Sequence, residues 1–147
     1  MHRSSSLGRT PLLGLAALAL ALASALLVTG CSQKYPAERD GKKAGEAVCD
    51  LRNATSPEQA QAARQDVLNQ LQDLGNKYAL YTAEDRKDIE NNLADLAEHT
   101  IQGNTVLRQQ DLAVLERSVR HIADDSNETA RAAWEGFLEG LSTCTEQ

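Results

Sequence analysis

The stretch Ser56-Pro57-Glu58-Gln59-Ala60-Gln61-Ala62-Ala63-Arg64-Gln65-Asp66-Val67-Leu68-Asn69-Gln70-Leu71-Gln72-Asp73-Leu74-Gly75-Asn76-Lys77-Tyr78-Ala79-Leu80-Tyr81 decides the fold class. Ser56 is a good N-cap, Pro57 suits the first helical turn, and Gln59 stands where a capping box places its second member. Behind that start, Ala60, Ala63, Val67, Leu71, Leu74, Tyr78 and Tyr81 recur in steps of three and four. At 100° per residue all seven fall within about 40° of one line, the stripe of an amphipathic helix. Gly75-Asn76 could end it. Tyr78 and Tyr81 stay in phase beyond that pair, so the pattern predicts a helix running through it.

The same rhythm continues downstream. Thr82-Ala83-Glu84-Asp85 reads as a cap, followed by Ile89, Leu93, Leu96 and Thr100 and a stop at Gly103-Asn104. Leu112, Leu115, Val119 and Ile122 define a further helix, closed by the turn cluster at residues 124–127. Ala130, Trp134, Phe137, Leu141 and Cys144 mark the last one. Upstream, Ala44, Val48 and Leu51 make a short helix of residues 42–53, with Cys49 beside its apolar face. Strand alternation and hairpin dipeptides do not occur. The expectation is an all-α fold, a small antiparallel bundle of four to five helices over residues 42–147.

Ahead of that domain the chain changes character. Arg3 and Arg9 precede an apolar run, Leu12 to Val28, of about 17 residues, short for a membrane-spanning helix. The run closes on Val28-Thr29-Gly30-Cys31, which resembles the lipobox of bacterial lipoproteins. The resemblance covers residues 1–31 and implies a signal peptide of residues 1–30, with Cys31 carrying a diacylglyceryl group as the new N-terminus. It also implies an extracytoplasmic protein lipid-anchored in a cell or outer membrane. Asp after the cysteine would resemble an inner-membrane retention signal; Ser32 stands there instead. Ser32 to Gly41, polar and containing Pro36, reads as a flexible tether, so that the anchor and tether span residues 31–41.

The 147 residues carry 15 Lys and Arg against 21 Asp and Glu, a formal charge of −6. Loss of Arg3 and Arg9 with the signal takes it to −8. That sign argues against nucleic acid as a partner and against electrostatic adhesion to anionic lipid. Aromatics make up only 3% of the chain, so Ala, Leu, Val and Ile must build the core.

With Cys31 assigned to lipid, Cys49 and Cys144 remain, and in an exported protein two cysteines read as one disulfide. The topology agrees. If the Pro57 helix runs up from the base, the next three run down, up and down, and the short first helix runs down into Ser56. Both cysteines then finish at the base.

Asp95/His99 and His121/Asp125 are i,i+4 pairs, the spacing of two metal ligands on one helical face. In that topology His99 and His121 lie at opposite ends of their helices, about 20 Å apart at 1.5 Å per residue, and cannot share an ion. The pairs read as solvated helix faces, and the sequence implies no metal and no cofactor. Nothing resembles an activated nucleophile or a phosphate-binding loop, and the expectation is a non-enzymatic protein. Leu107, Val114 and His121 form a second line on the fourth helix, nearly opposite its first. Either the short first helix covers that line, or it is a face for a partner or an apolar ligand. Gly136 and Gly140 flank the last stripe and read as tolerated glycines in preference to a close-approach groove for another helix. The sequence thus supports a structural or protein-binding role with an unknown envelope protein as partner, and as the alternative a carrier holding an apolar small molecule between its helices.

Overall fold

The computed structural model describes residues 34–145; the signal-peptide reading and Cys31 lie outside them. Five helices make up this part, with no strand among the described residues. We number them α1 (residues 34–52), α2 (Pro57–Tyr78), α3 (Ala83–Ile101), α4 (Thr105–Asp124) and α5 (Glu128–Thr145).

The helix starts are set by side chains that satisfy backbone N–H groups left open in the first turn. Ser56 Oγ accepts from Gln59 N at 3.2 Å, and Pro57 opens α2. Gln59 does not close the box on Ser56; its Oε1 accepts from Thr55 N and Thr55 Oγ1, one residue earlier. Thr82 and Asp85 form a full reciprocal capping box on α3. Asn104 and Asn127 accept from Leu107 N and Ala130 N at the starts of α4 and α5.

The stripes turn inward. Val67, Leu71, Ile89, Leu93, Leu96, Leu112, Leu115, Val119, Phe137 and Leu141 are all buried, and Trp134 and Leu80 join them. Helix α2 does pass Gly75, yet it ends at Tyr78, because Ala79 takes a left-handed conformation (φ 50°) and donates to Gly75 O. Tyr81 therefore does not continue the helical line. The turn instead drops Leu80 into the core, where its carbonyl accepts from buried Trp134 Nε1 at 2.9 Å. Tyr81 packs on Trp134 with ring centroids 6.0 Å apart and donates through its hydroxyl to Leu71 O.

The N-terminal side requires a correction. Residues 34–41, read as tether, are the first turns of α1, so the folded body begins no later than Lys34. Ala37 and Gly41 are buried there. A Cβ built on Gly41 would overlap the carbonyl oxygen of Ala133; on Gly45, that of Phe137; on Gly136, that of Glu38; and on Gly140, that of Lys42. The plain reading of Gly136 and Gly140 is corrected too, since they are the close-approach groove. Gly41-x-x-x-Gly45 on α1 meets Gly136-x-x-x-Gly140 on α5, backbone against backbone. Small residues four apart on both partners are what let two helices approach so closely.

The facing residues rise together along the two chains, so α1 and α5 run parallel, whereas consecutive helices alternate in direction. Lys34 and Glu128 pair at 3.8 Å at one end of the α1–α5 seam. At the other end Cys49 and Cys144 form a disulfide, with Cα atoms 5.2 Å apart. Arg52 donates to Cys144 O, and Arg108 of α4 donates to Arg52 O at 3.1 Å, tying three helices at this base. On its other flank α1 meets α2, where Asp40 accepts from Tyr78 and lies 3.9 Å from Lys77 Nζ.

Candidate functional site

The residues singled out on α4 divide in the structure. Val114 is 37% exposed and His121 is exposed, whereas Leu107 is partly buried. Helix α1 packs on α5 through its glycines and leaves Val114 and His121 uncovered. Val106 (64% exposed), one turn from the base, extends the apolar surface of α4, and Ile101 (42%) adds to it from the end of α3. The face comes from the helical period: α4 buries one stripe against α3 and α5 and carries Val106 and Val114 outside it.

The histidines behave differently from their sequence pairing. His99 does not pair with Asp95; its Nδ1 lies 2.6 Å from Asp111 Oδ2, across the α3–α4 turn. Both side chains are largely covered, at 22% and 14% exposure. The Asp111 carboxylate raises the imidazole above its ordinary value of 6.5, with smaller help from Glu98 and Asp95 and against partial desolvation. This is an ion pair that closes the base of the bundle when His99 is protonated. No group of three or more His, Cys, Asp or Glu arranged to hold a metal ion occurs among the described residues.

A groove of about 670 Å³ runs between α1 and α2. Asp40, Glu46, Asp50, Asp66 and Asp73 line it, with Lys43 and Lys77, while Ala47 and Leu74 supply its apolar floor. No sequence pattern marks it, since its acids come from two different helices. With five carboxylates in its walls, it is not the apolar chamber that a carrier of a lipid-like molecule would need. Between the helices the space is filled by Trp134, Phe137 and the leucines, with Trp134 and Phe137 in edge-to-face contact at 5.6 Å.

No described helix is long and apolar enough to cross a membrane. No protein-family model matches the chain, and no curated protein or solved structure is significantly similar to it.

Proposed function

We propose that the protein is a membrane-anchored extracytoplasmic lipoprotein with a non-enzymatic, protein-binding or structural role in the cell envelope. The observation that carries the reading is the order of parts. A charged n-region, an apolar run and Val28-Thr29-Gly30-Cys31 stand immediately before a helical body that begins by Lys34. Two or three acyl chains on Cys31 would hold the body firmly, because each buried methylene contributes ~0.8 kcal/mol. The partner face we assign is the outer surface of α4 around Val114 and His121. Exposed branched aliphatics beside a titratable group suit a protein surface of mixed polarity.

Two experiments test the two halves. Cells expressing the Cys31→Ala variant should show the fully processed protein released from the membrane fraction; retention of processed protein there refutes the anchor. A photo-crosslinking amino acid at residue 114, and separately at residue 121, should give one defined adduct in intact cells, and the same probe at exposed Gln72 should not. Equal, diffuse labelling from all three positions refutes the assigned face.

A further inference from the structure

We propose that the Cys49–Cys144 bridge is a redox latch on α1. When a dithiol reduces it, α1 gains an opening motion of its own, while α2 to α5 stay folded as a complete bundle. The inference is independent of the lipoprotein reading, and either can fail without the other.

Helix α1 stands outside a ring that closes without it. Helix α2 packs on α3, α3 on α4, α4 on α5, and α5 back on α2. Trp134, Phe137, Leu80, Ile89 and Leu93, among the largest fully buried side chains, belong to that ring and its loops. To the same class α1 supplies Val48 and Leu51; its other buried side chains are Ala37, Ala44 and Ala47. Burial stabilises roughly in proportion to apolar area, so the side-chain hold on α1 is concentrated in the turns around Val48 and Leu51. The ion pairs Lys34–Glu128 and Lys42–Glu139 are exposed and add little. The chain leaves α1 through residues 53–56, which precede α2, so α1 can move off the ring without breaking another helix.

The bridge forbids that motion where it matters. Cys49 lies between Val48 and Leu51 in the chain and is bonded to Cys144 near the end of α5. With the sulfurs joined, neither side chain can leave its seat unless the end of α5 leaves too, and only the earlier turns of α1 are free to fray. With the bond cut, α1 is a terminal helix held by its own packing, and such elements open at lower cost than the whole fold. The glycine seam and the Arg52 bonds persist, so the docked form remains the major one and opening is transient.

The sulfurs differ in access. Cys49 is half-buried, whereas Cys144 is 1% exposed. A thiolate of the dithiol therefore attacks Cys49 Sγ. The S–S bond breaks, Cys144 departs with its electron pair and takes up a proton, and a mixed disulfide joins the reductant to Cys49. The reductant's second thiol then displaces Cys49, which leaves as a thiol. The protein has gained two electrons and two protons, and the dithiol has lost them in becoming a disulfide.

The test is hydrogen exchange followed by mass spectrometry on the purified full chain, oxidised and after excess dithiothreitol. It compares residues 47–52 of α1 with residues 89–97 of α3, each corrected for its intrinsic rate. In the oxidised protein both segments open only with the whole fold, and their rates should agree. In the reduced protein all rates rise, because the cross-link also stabilises the fold as a whole. Residues 47–52 should then exchange at least roughly tenfold faster than residues 89–97, as a sub-global opening requires. The Cys49→Ser variant should show the same gap without reductant. Three results overturn the latch: both segments keeping one common rate after reduction, a gap already present in the oxidised protein, or a bridge that survives excess dithiothreitol in the folded chain.

Discussion

Gly140→Ala should destabilise this protein although alanine is the better helix former. Gly140 sits mid-helix, where glycine costs up to ~1 kcal/mol relative to alanine, so propensity alone predicts a gain. The seam predicts the reverse. A methyl at Gly140 would overlap the carbonyl oxygen of Lys42 and press on Glu46 N, both of them backbone atoms of α1. Backbone cannot rotate away as the end of a long side chain would, so α1 must move off α5 by about 1 Å, and a gap of that size forfeits a quarter to a half of each dispersion contact across it. Ala37, Ala44, Ala47, Val48 and Leu51 of α1 are buried, and a shift of the helix would loosen their packing. Overpacking of this kind typically costs ~1–3 kcal/mol and more where the site cannot yield; with propensity deducted, a net loss of ~1–3 kcal/mol remains. For a body of this size that is a fall in Tm of roughly 3–12 °C. The control is Gly75→Ala. Its new Cβ would stand 3.4 Å from the Tyr81 hydroxyl, an ordinary contact, and the variant should match or exceed the parent. Thermal melts followed by circular dichroism on both variants decide the matter. A Gly140→Ala protein as stable as Gly75→Ala would refute the backbone-to-backbone seam.

Four shorter predictions accompany it. Replacing Cys49 and Cys144 together by Ala opens a cross-link of sequence separation 95, which the chain-entropy model values at ~4–5 kcal/mol and real bridges at ~2–4; Tm should fall by more than ~8 °C while helical content at 20 °C survives. The His99–Asp111 pair raises the histidine pKa, so its stabilisation is fully present below the unfolded value near 6.5 and is lost as pH rises through the folded one. The stability gap between parent and Asp111→Asn should accordingly be wider at pH 6 than at pH 9 in urea titrations, and a gap that does not narrow refutes the ion pair. Ala79→Gly relieves a left-handed residue at the end of α2 and should raise stability by ~0.5–1 kcal/mol in the same assay. Thr100→Val removes a buried hydroxyl that has no partner among the described residues, and should gain ~1 kcal/mol where most core polar-to-apolar swaps lose.

The stripes of α2 to α5 were legible because each buries one face, and a 3.6-residue period needs no knowledge of the neighbours. Their starts were legible because Ser56 and Thr82 cap through local bonds. What escaped the sequence is what depends on a partner. Leu80 follows a left-handed residue and carries no period, yet it is among the most buried side chains. The His99–Asp111 contact crosses a turn, so i,i+4 spacing pointed at the wrong acid. The tether reading failed for a physical reason: residues 34–41 are polar, with Pro36 and Gly41, and such composition signals a coil unless a second helix offers a glycine groove. Only Ala37 and Gly41 are buried in that segment, too few to mark a stripe. The paired Gly-x-x-x-Gly spacings of α1 and α5 were the available sign, since either alone is a pair of tolerated glycines and together they are complementary surfaces.

The helix nearest the proposed anchor is joined to the rest in three ways. Helix α1 is gripped along its length by a glycine seam, its far end is bonded covalently to α5, and Arg52 at that end is bonded to both α4 and α5. In the proposed lipoprotein, a pull on the lipid at Cys31 would reach the described body through Lys34 of α1. Apolar packing resists sliding weakly, because a helix can shift past smooth side chains with little loss of buried area. Interlocked glycines resist it better, since carbonyl oxygens seated over Cα positions meet steric barriers when displaced. The disulfide sets the limit, because Cys49 cannot leave Cys144 without bond cleavage. Placed at the end of α1 far from Lys34, it puts nearly the whole helix between the point of load and the covalent stop, so α1 shares the load with its seam before the bond carries any. A bridge near Lys34 would fix the first turn and leave the remainder of α1 to its own packing. The position of the cysteines therefore suits a body attached, as proposed, through its first helix.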